Sequence, residues 1–202
     1  MKSDLAKIHH ARSAKDFPDI DLEENEWVVL HIVRSKIGLF LIWAGEIAGF
    51  ILLTIAFFLL LTGDTSQLGL NSAAISYLYI VIFALYALLL LSGVIGTVVY
   101  KSNHLYITNL RAIQKTRPSL FVNSTNIIDL QGIEDVSFRQ AGLLDQIFKL
   151  GTIRMSTVGD ETTYTFKYVD TPRDEIKTIT SLIHKVKNKT TKDAVEVDTV
   201  TS

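Results

Sequence analysis

From residue 37 to residue 61 apolar side chains run almost unbroken, with Glu46 as the one charge, and from 73 to 99 they run with no charge at all. About 25 and about 27 residues at 1.5 Å each extend roughly 37 and 40 Å, enough to cross a hydrocarbon core of about 30 Å with some tilt. Neither stretch has the polar face of a helix lying on a soluble core. The pattern predicts two membrane-spanning helices in a hairpin. The first begins far from the N-terminus, is too long for a signal peptide and lacks an Ala-x-Ala-like exit, so it reads as an anchor.

After Lys101 the period changes. Leu105 and Ile107, then Ile113, mark two short strands around the turn Thr108-Asn109-Leu110. Ile127, Ile128 and Leu130 suggest another, broken by Gly132, and Ile133, Val136 and Phe138 a further one. Leu143, Leu144, Ile147, Phe148 and Leu150 suit a short helical turn ended by Gly151, after which Ile153 and Met155 alternate again. Residues 158–161 read as a turn. From Thr163 to Val169 the alternation puts Tyr164, Phe166 and Tyr168 on one face. Thr171 and Pro172 form a helix-start signal, and Ile176, Ile179, Leu182, Ile183 and Val186 then recur at helical spacing. Near the N-terminus, Leu5, Ile8 and Ala11 hint at a weak amphipathic helix able to lie on a membrane.

The chain thus divides into a cytoplasmic N-terminal segment (1–36), a first membrane helix (37–61), an external loop (62–72), a second membrane helix (73–99), a cytoplasmic domain (101–187) and a disordered tail (188–202). Orientation follows from the basic residues. Arg34 and Lys36 precede the first helix, Lys101 and Arg111 follow the second, and the loop carries Asp64 and no Lys or Arg. The positive-inside rule places both termini in the cytoplasm of a multi-pass protein of the cell membrane.

Composition agrees: the 202 residues are 48% hydrophobic, which favours a membrane class. With 20 basic against 21 acidic residues there is no bias toward nucleic acid, and with no cysteine there is no disulfide, thiolate metal site or thiol nucleophile. Five histidines (His9, His10, His31, His104 and His184) show no metal-ligand spacing beyond the adjacent first pair. No phosphate-cradling glycine loop and no nucleophile elbow occur. Glu134 and Asp135 are adjacent on an expected strand and so face opposite ways. The expectation is a protein that is not an enzyme and takes no cofactor or metal. The sequons at Asn123 and Asn188 lie on the expected cytoplasmic side, where chance explains them.

Small residues mark where the helices can meet. Gly45 and Gly49 stand in G-x-x-x-G spacing on the first, and Gly93 and Gly96 lie at a matching depth on the second. The same patch could instead serve self-association or another membrane subunit. Glu46 within it either has a function, as proton relay or partner for a basic residue, which would make the chain a small transport-associated subunit, or is a glutamate hydrogen-bonded to Ser92 or Thr97. Arg111, Lys115 and Arg117 share parity along an expected strand. They form either a lipid-headgroup site or a solvated face near anionic headgroups, on a domain with 12 basic and 9 acidic residues over 101–187.

One resemblance adds to this. Tyr106-Ile107-Thr108-Asn109-x-Arg111, Ile133-x-Asp135-Val136, Gln140 with Leu143-Leu144, Phe148, Gly151-Thr152-Ile153 and Asp170-x-Pro172 occur in that order. Together they resemble a bacterial pleckstrin-homology (PH) domain of the kind attached to a two-helix membrane hairpin. Leu22-Glu23-Glu24-x-Glu26-Trp27 resembles the acidic segment usual ahead of such a hairpin. The family usually has a glycine in the turn after the second strand, where this chain has Arg117-Pro118-Ser119. The resemblance implies an α+β membrane protein whose PH-like antiparallel barrel or sandwich is capped by a C-terminal amphipathic helix. It also implies a binding or scaffolding role rather than catalysis. The partners expected are membrane lipids and either a protein or a second copy of the chain.

Overall fold

The computed structural model describes residues 2–62, 72–157, 163–170 and 173–200. The expected turn at 158–161, the helix-start pair Thr171-Pro172 and nearly all of the expected external loop fall outside them. The chain forms two compact units, one of residues 36–101 and one that combines residues 1–35 with 102–202.

The first unit is a pair of helices, α2 (Lys36–Thr62) and α3 (Ser72–Lys101), each long and apolar enough to cross a membrane. They pack on each other. Thr54 Oγ1 lies 2.9 Å from Tyr86 Oη, and the rings of Phe50 and Tyr86 are 4.8 Å apart. Most large apolar side chains on both helices, Phe40, Phe58 and Phe83 among them, point away from the pair.

The second unit contains helix α1 (Lys2–Asp16), strand β1 (Val28–Val33), strands β2 (His104–Thr108), β3 (Arg111–Thr116), β4 (Ser124–Asp129) and β5 (Ile133–Arg139), the short helix α4 (Leu143–Ile147), strands β6 (Leu150–Thr157) and β7 (Thr163–Asp170), and helix α5 (Arg173–Val200). A single 3-10 turn, Leu130–Gly132, separates β4 from β5. Two antiparallel sheets result, of order β1-β2-β3-β4 and β5-β6-β7. They do not close into a barrel, which the barrel or sandwich implied by the PH resemblance did not require. Leu105, Ile107, Ala112, Leu130, Ile133, Ile153, Met155 and Phe166 fill the space between them, and Ile179 and Ile183 of α5 close it. The helical spacing of apolar residues in α5 is thus the face it buries. Gln114 donates from Nε2 to the carbonyl of Thr165 at 2.9 Å, tying one sheet to the other.

Three differences from the sequence reading matter. Residues 28–33, assigned above to a segment outside the domain, form its first strand: His31 pairs with Tyr106 and Val33 with His104. The helix pair is therefore inserted between two neighbouring strands, with Arg34 and Ser35 on one side and Ser102 and Asn103 on the other. Helix α5 continues to Val200, through residues expected to be disordered. Finally, Tyr168 does not share a face with Phe166. Its backbone is left-handed (φ 63°), and the register against β6 slips there, so Val169 turns inward and Tyr168 outward.

Candidate interaction site

The turn between β2 and β3 is closed by a side chain. Thr108 Oγ1 accepts from the backbone N–H of Leu110 (3.1 Å) and Arg111 (2.9 Å). Its own proton goes to Glu26 Oε1 at 2.7 Å. Asn109 grips the chain on either side of Glu26: its Oδ1 accepts from Trp27 N–H at 2.9 Å and its Nδ2 donates to Asn25 O at 3.2 Å. Asn25 bends the segment back through a left-handed conformation (φ 64°), one that asparagine tolerates.

Arg111 completes the arrangement. Its Nε and Nη2 reach Glu26 Oε1 and Oε2 at 3.0 and 2.9 Å, a two-pronged charged pair. Nη1 lies 3.1 Å from Glu23, and Nη2 also donates to the carbonyl of Asp21. Glu26 is fully buried. Burial would raise its pKa, but the hydrogen bonds from Arg111, the Glu23 N–H and Thr108, with the Arg111 charge, hold it below the ordinary glutamate value. Arg111 is correspondingly raised, first by its hydrogen bond to Glu26.

The outer face of the same sheet carries a second cluster. Ile20, Tyr106 and Ile113 are buried there under Phe17, Leu22 and Val28. Lys115 Nζ bonds to the backbone carbonyl and the carboxylate of Asp19. Tyr106 donates to the same carboxylate at 3.2 Å. Adjacent strands bring His31 and His104 together, with Nε2 of the first 3.1 Å from Nδ1 of the second, and the His31 ring stacks on Tyr106 at 4.5 Å. Desolvation lowers the pKa of His31, helped by His104; desolvation also lowers that of His104, with Asp19 opposing and Lys115 assisting. Desolvation and the nearby Asp19 raise Tyr106. Helix α1 lies against the start of the strand: Ser13 Oγ accepts from Val28 N–H at 3.0 Å, and His10 Nδ1 bonds to the Glu26 carbonyl at 2.7 Å.

These contacts change the meaning of the basic trio. Arg111 and Lys115 do share a face, as strand parity predicted, but that face is covered and their charges are matched by Glu23, Glu26 and Asp19. Arg117 lies just beyond the end of β3 and donates from Nη2 to the carbonyl of Leu120 at 2.8 Å. The three do not converge on an open anion pocket. The residues that the sequence reading missed are Asp19, Glu26, Thr108, Asn109 and the His31–His104 pair. The acidic run 19–26 was the available signal for the first two. No group of three metal-ligating side chains occurs among the described residues.

On the helix pair, Ser92 Oγ donates to Glu46 Oε1 at 2.8 Å, whereas Thr97 turns to its own helix and bonds to Gly93 O. Gly93 faces Glu46, Gly96 faces Ile42 and Gly49 faces Leu89, so all three stand where the helices meet. Gly45 does not: a methyl group added there meets nothing within 4 Å, because it lines the open side of a groove of about 980 Å³ shared with Glu46, Leu85 and Leu89. Gly38, passed over in the sequence, is the tighter position, since a Cβ there collides with the Tyr100 ring.

A model of the bacterial PH domain family matches residues 37–185. The chain belongs to that family. The matched region begins at the helix pair and takes in β2 through the first half of α5, so both units contribute to it. A similar solved structure is a DUF1696 family protein with a pleckstrin-homology domain from Shewanella loihica PV-4, at 15% identity and a TM-score of 0.32, covering 42% of this chain and 70% of that one. No curated protein matches the chain. The acidic segment and the Thr108-Asn109-x-Arg111 motif, which carried the resemblance separately, are two halves of one hydrogen-bonded lock.

Proposed function

We propose that this bacterial PH-domain protein is a membrane-anchored interaction module that holds a protein partner at the cytoplasmic face of the cell membrane, without catalysis of its own. The observation that carries this reading is the insertion of the apolar hairpin between β1 and β2, with two residues on each side. Two residues reach at most about 7 Å, so the hairpin tethers the strand unit on two short leashes rather than one long linker. Strands β4 and β5 end their sheets, and their outer edges offer backbone groups for a partner's strand.

A headgroup site at Arg111, Lys115 and Arg117 has less support, because a phosphate would have to displace Glu26 and Asp19 first. Chemical cross-linking in native membranes, full chain against the hairpin alone (residues 36–101), tests the module. Partners captured by the full chain should disappear with the hairpin alone, and an unchanged set sinks the idea. Orientation has its own check. Single cysteines at Ser66 and Thr157 are expected to react with an impermeant reagent in intact cells at Ser66 alone; reaction at Thr157 reverses the topology.

A further inference from the structure

The three most exposed large apolar side chains described in the strand unit are Phe121 (95%), Leu143 (78%) and Ile147 (68%). Phe121 sits with exposed Val122 in the loop between β3 and β4; Leu143 and Ile147 lie one turn apart on α4. Within this unit both loops stand at the end of the sheets from which the chain leaves for the hairpin. β3 runs toward that end, and Arg117 N–H, where its loop begins, bonds to Asn103 Oδ1 at 3.2 Å. On the other sheet, Tyr168 accepts from Ser35 N–H through its carbonyl at 2.6 Å, and Tyr168 and Leu143 line one depression of about 410 Å³ together with Lys167 and Asp145. Asn103 and Ser35 are linker residues, one beside each apolar helix.

The opposite end of the first sheet has the reverse character. There the β2–β3 turn is wrapped by the acidic segment containing Asp21, Glu23, Glu24 and Glu26, which disfavours an anionic membrane surface. Apolar wedges therefore occupy the end whose linkers lead into lipid, and acids occupy the far end.

We propose that the β3–β4 loop and α4 insert Phe121, Val122, Leu143 and Ile147 into the interfacial layer of the same membrane that the hairpin spans. Apolar tips on a polar body are what such a layer takes up. The two linkers and the two wedges then hold the domain in one orientation, leaving its sheet edges for a partner. This rests on the anchor reading above.

Because the chain has no cysteine, a single cysteine carrying an environment-sensitive fluorophore can be placed in the full-length protein at Phe121, Leu143, Leu110 or Phe83. Leu110 lies in the far turn and Phe83 on the outer surface of α3. In liposomes of mixed neutral and anionic lipid, with no other protein, positions 121 and 143 should emit at shorter wavelength than position 110. They should also be quenched by spin labels on the acyl chains and be several-fold less accessible to iodide. Circular dichroism that matches the unsubstituted chain verifies folding, and all four positions are surface sites. Should 121 and 143 be as open to iodide as 110 while 83 is quenched from the lipid, the anchor stands and the wedges are overturned, leaving the rim to water or to a protein. Iodide reaching position 83 as well overturns both readings.

Discussion

The two units of this chain bury apolar surface in opposite ways. In the strand unit, Leu105, Ile107, Leu130, Ile153 and Phe166 face one another and are closed in by Ile179, so the apolar surface that holds the unit together is inside. In the helix pair, contact runs along one line of Ile42, Glu46, Gly49, Leu89, Ser92 and Gly96, while Phe40, Phe58 and Phe83 point outward. Water drives the first arrangement and penalises the second; hydrocarbon does neither, and leaves close packing and a few hydrogen bonds to join the helices. The same contrast holds for carboxylates. Glu26 is fully buried and held by a bidentate arginine, and Glu46 has one hydroxyl partner.

That contrast can be broken first at Glu26. Replacing it with alanine leaves Arg111, with only 15% side-chain exposure, the exposed Glu23 and the Asp21 carbonyl as partners, and should destabilise the strand unit by about 3 kcal/mol, the low end of the cost of removing one partner of a buried pair. Hydrogen exchange on the full chain in detergent should show β1–β3 opening while α2 and α3 stay protected. Equal protection of both regions in the variant would mean the lock carries no stability. Gly151→Ala and Gly38→Ala come next. A Cβ at the first collides with the Phe138 ring and at the second with Tyr100, for about 1–3 kcal/mol of overpacking in one unit each. Gly45→Ala is expected to leave thermal unfolding unchanged, and a loss as large as that of Gly38→Ala would put Gly45 into the packing after all.

Acid should loosen the strand unit before it touches the helices. His31 and His104 have lowered pKa values in the fold, so the unfolded chain binds protons more readily than the native one. Their contribution is complete above the ordinary histidine value of about 6.5 and falls away as pH drops through the lower folded values. The lowered carboxyls of Asp19 and Glu26 add the same sign at more acid pH, below about 4. Unfolding temperature measured from pH 8 to pH 5 should decline, and the decline should shrink in His104→Gln; an identical slope in that variant would clear the pair of responsibility. The smallest loss belongs to Ser92→Ala, which removes the bond to Glu46. About 0.5–1 kcal/mol of helix–helix association is expected, read by a dissociation assay between separately expressed helices in detergent.

Whatever depends on neighbours along the chain was legible in the residue pattern. Two long apolar runs had to be helices of about these lengths, the alternation around Leu105–Ile113 had to be a hairpin, and Ile176–Val186 had to bury one helical face. The family was legible too, because its motifs are short and ordered. Which distant residues would meet was settled only when the elements packed. Val28–Val33 looked like the approach to an apolar helix, since its β-branched run precedes one directly; that it pairs with His104–Thr108 depends on contacts across the whole inserted hairpin. Arg111 showed its strand parity but not its partner, because Glu26 lies 85 residues earlier and nothing local links the two. Gly45 and Gly49 have the same spacing signal, yet Gly49 meets Leu89 and Gly45 meets nothing, because the angle between two helices is set by every side chain along the contact. Periodicity is a property of one element; pairing, burial of charge and the choice of contacting glycine belong to two.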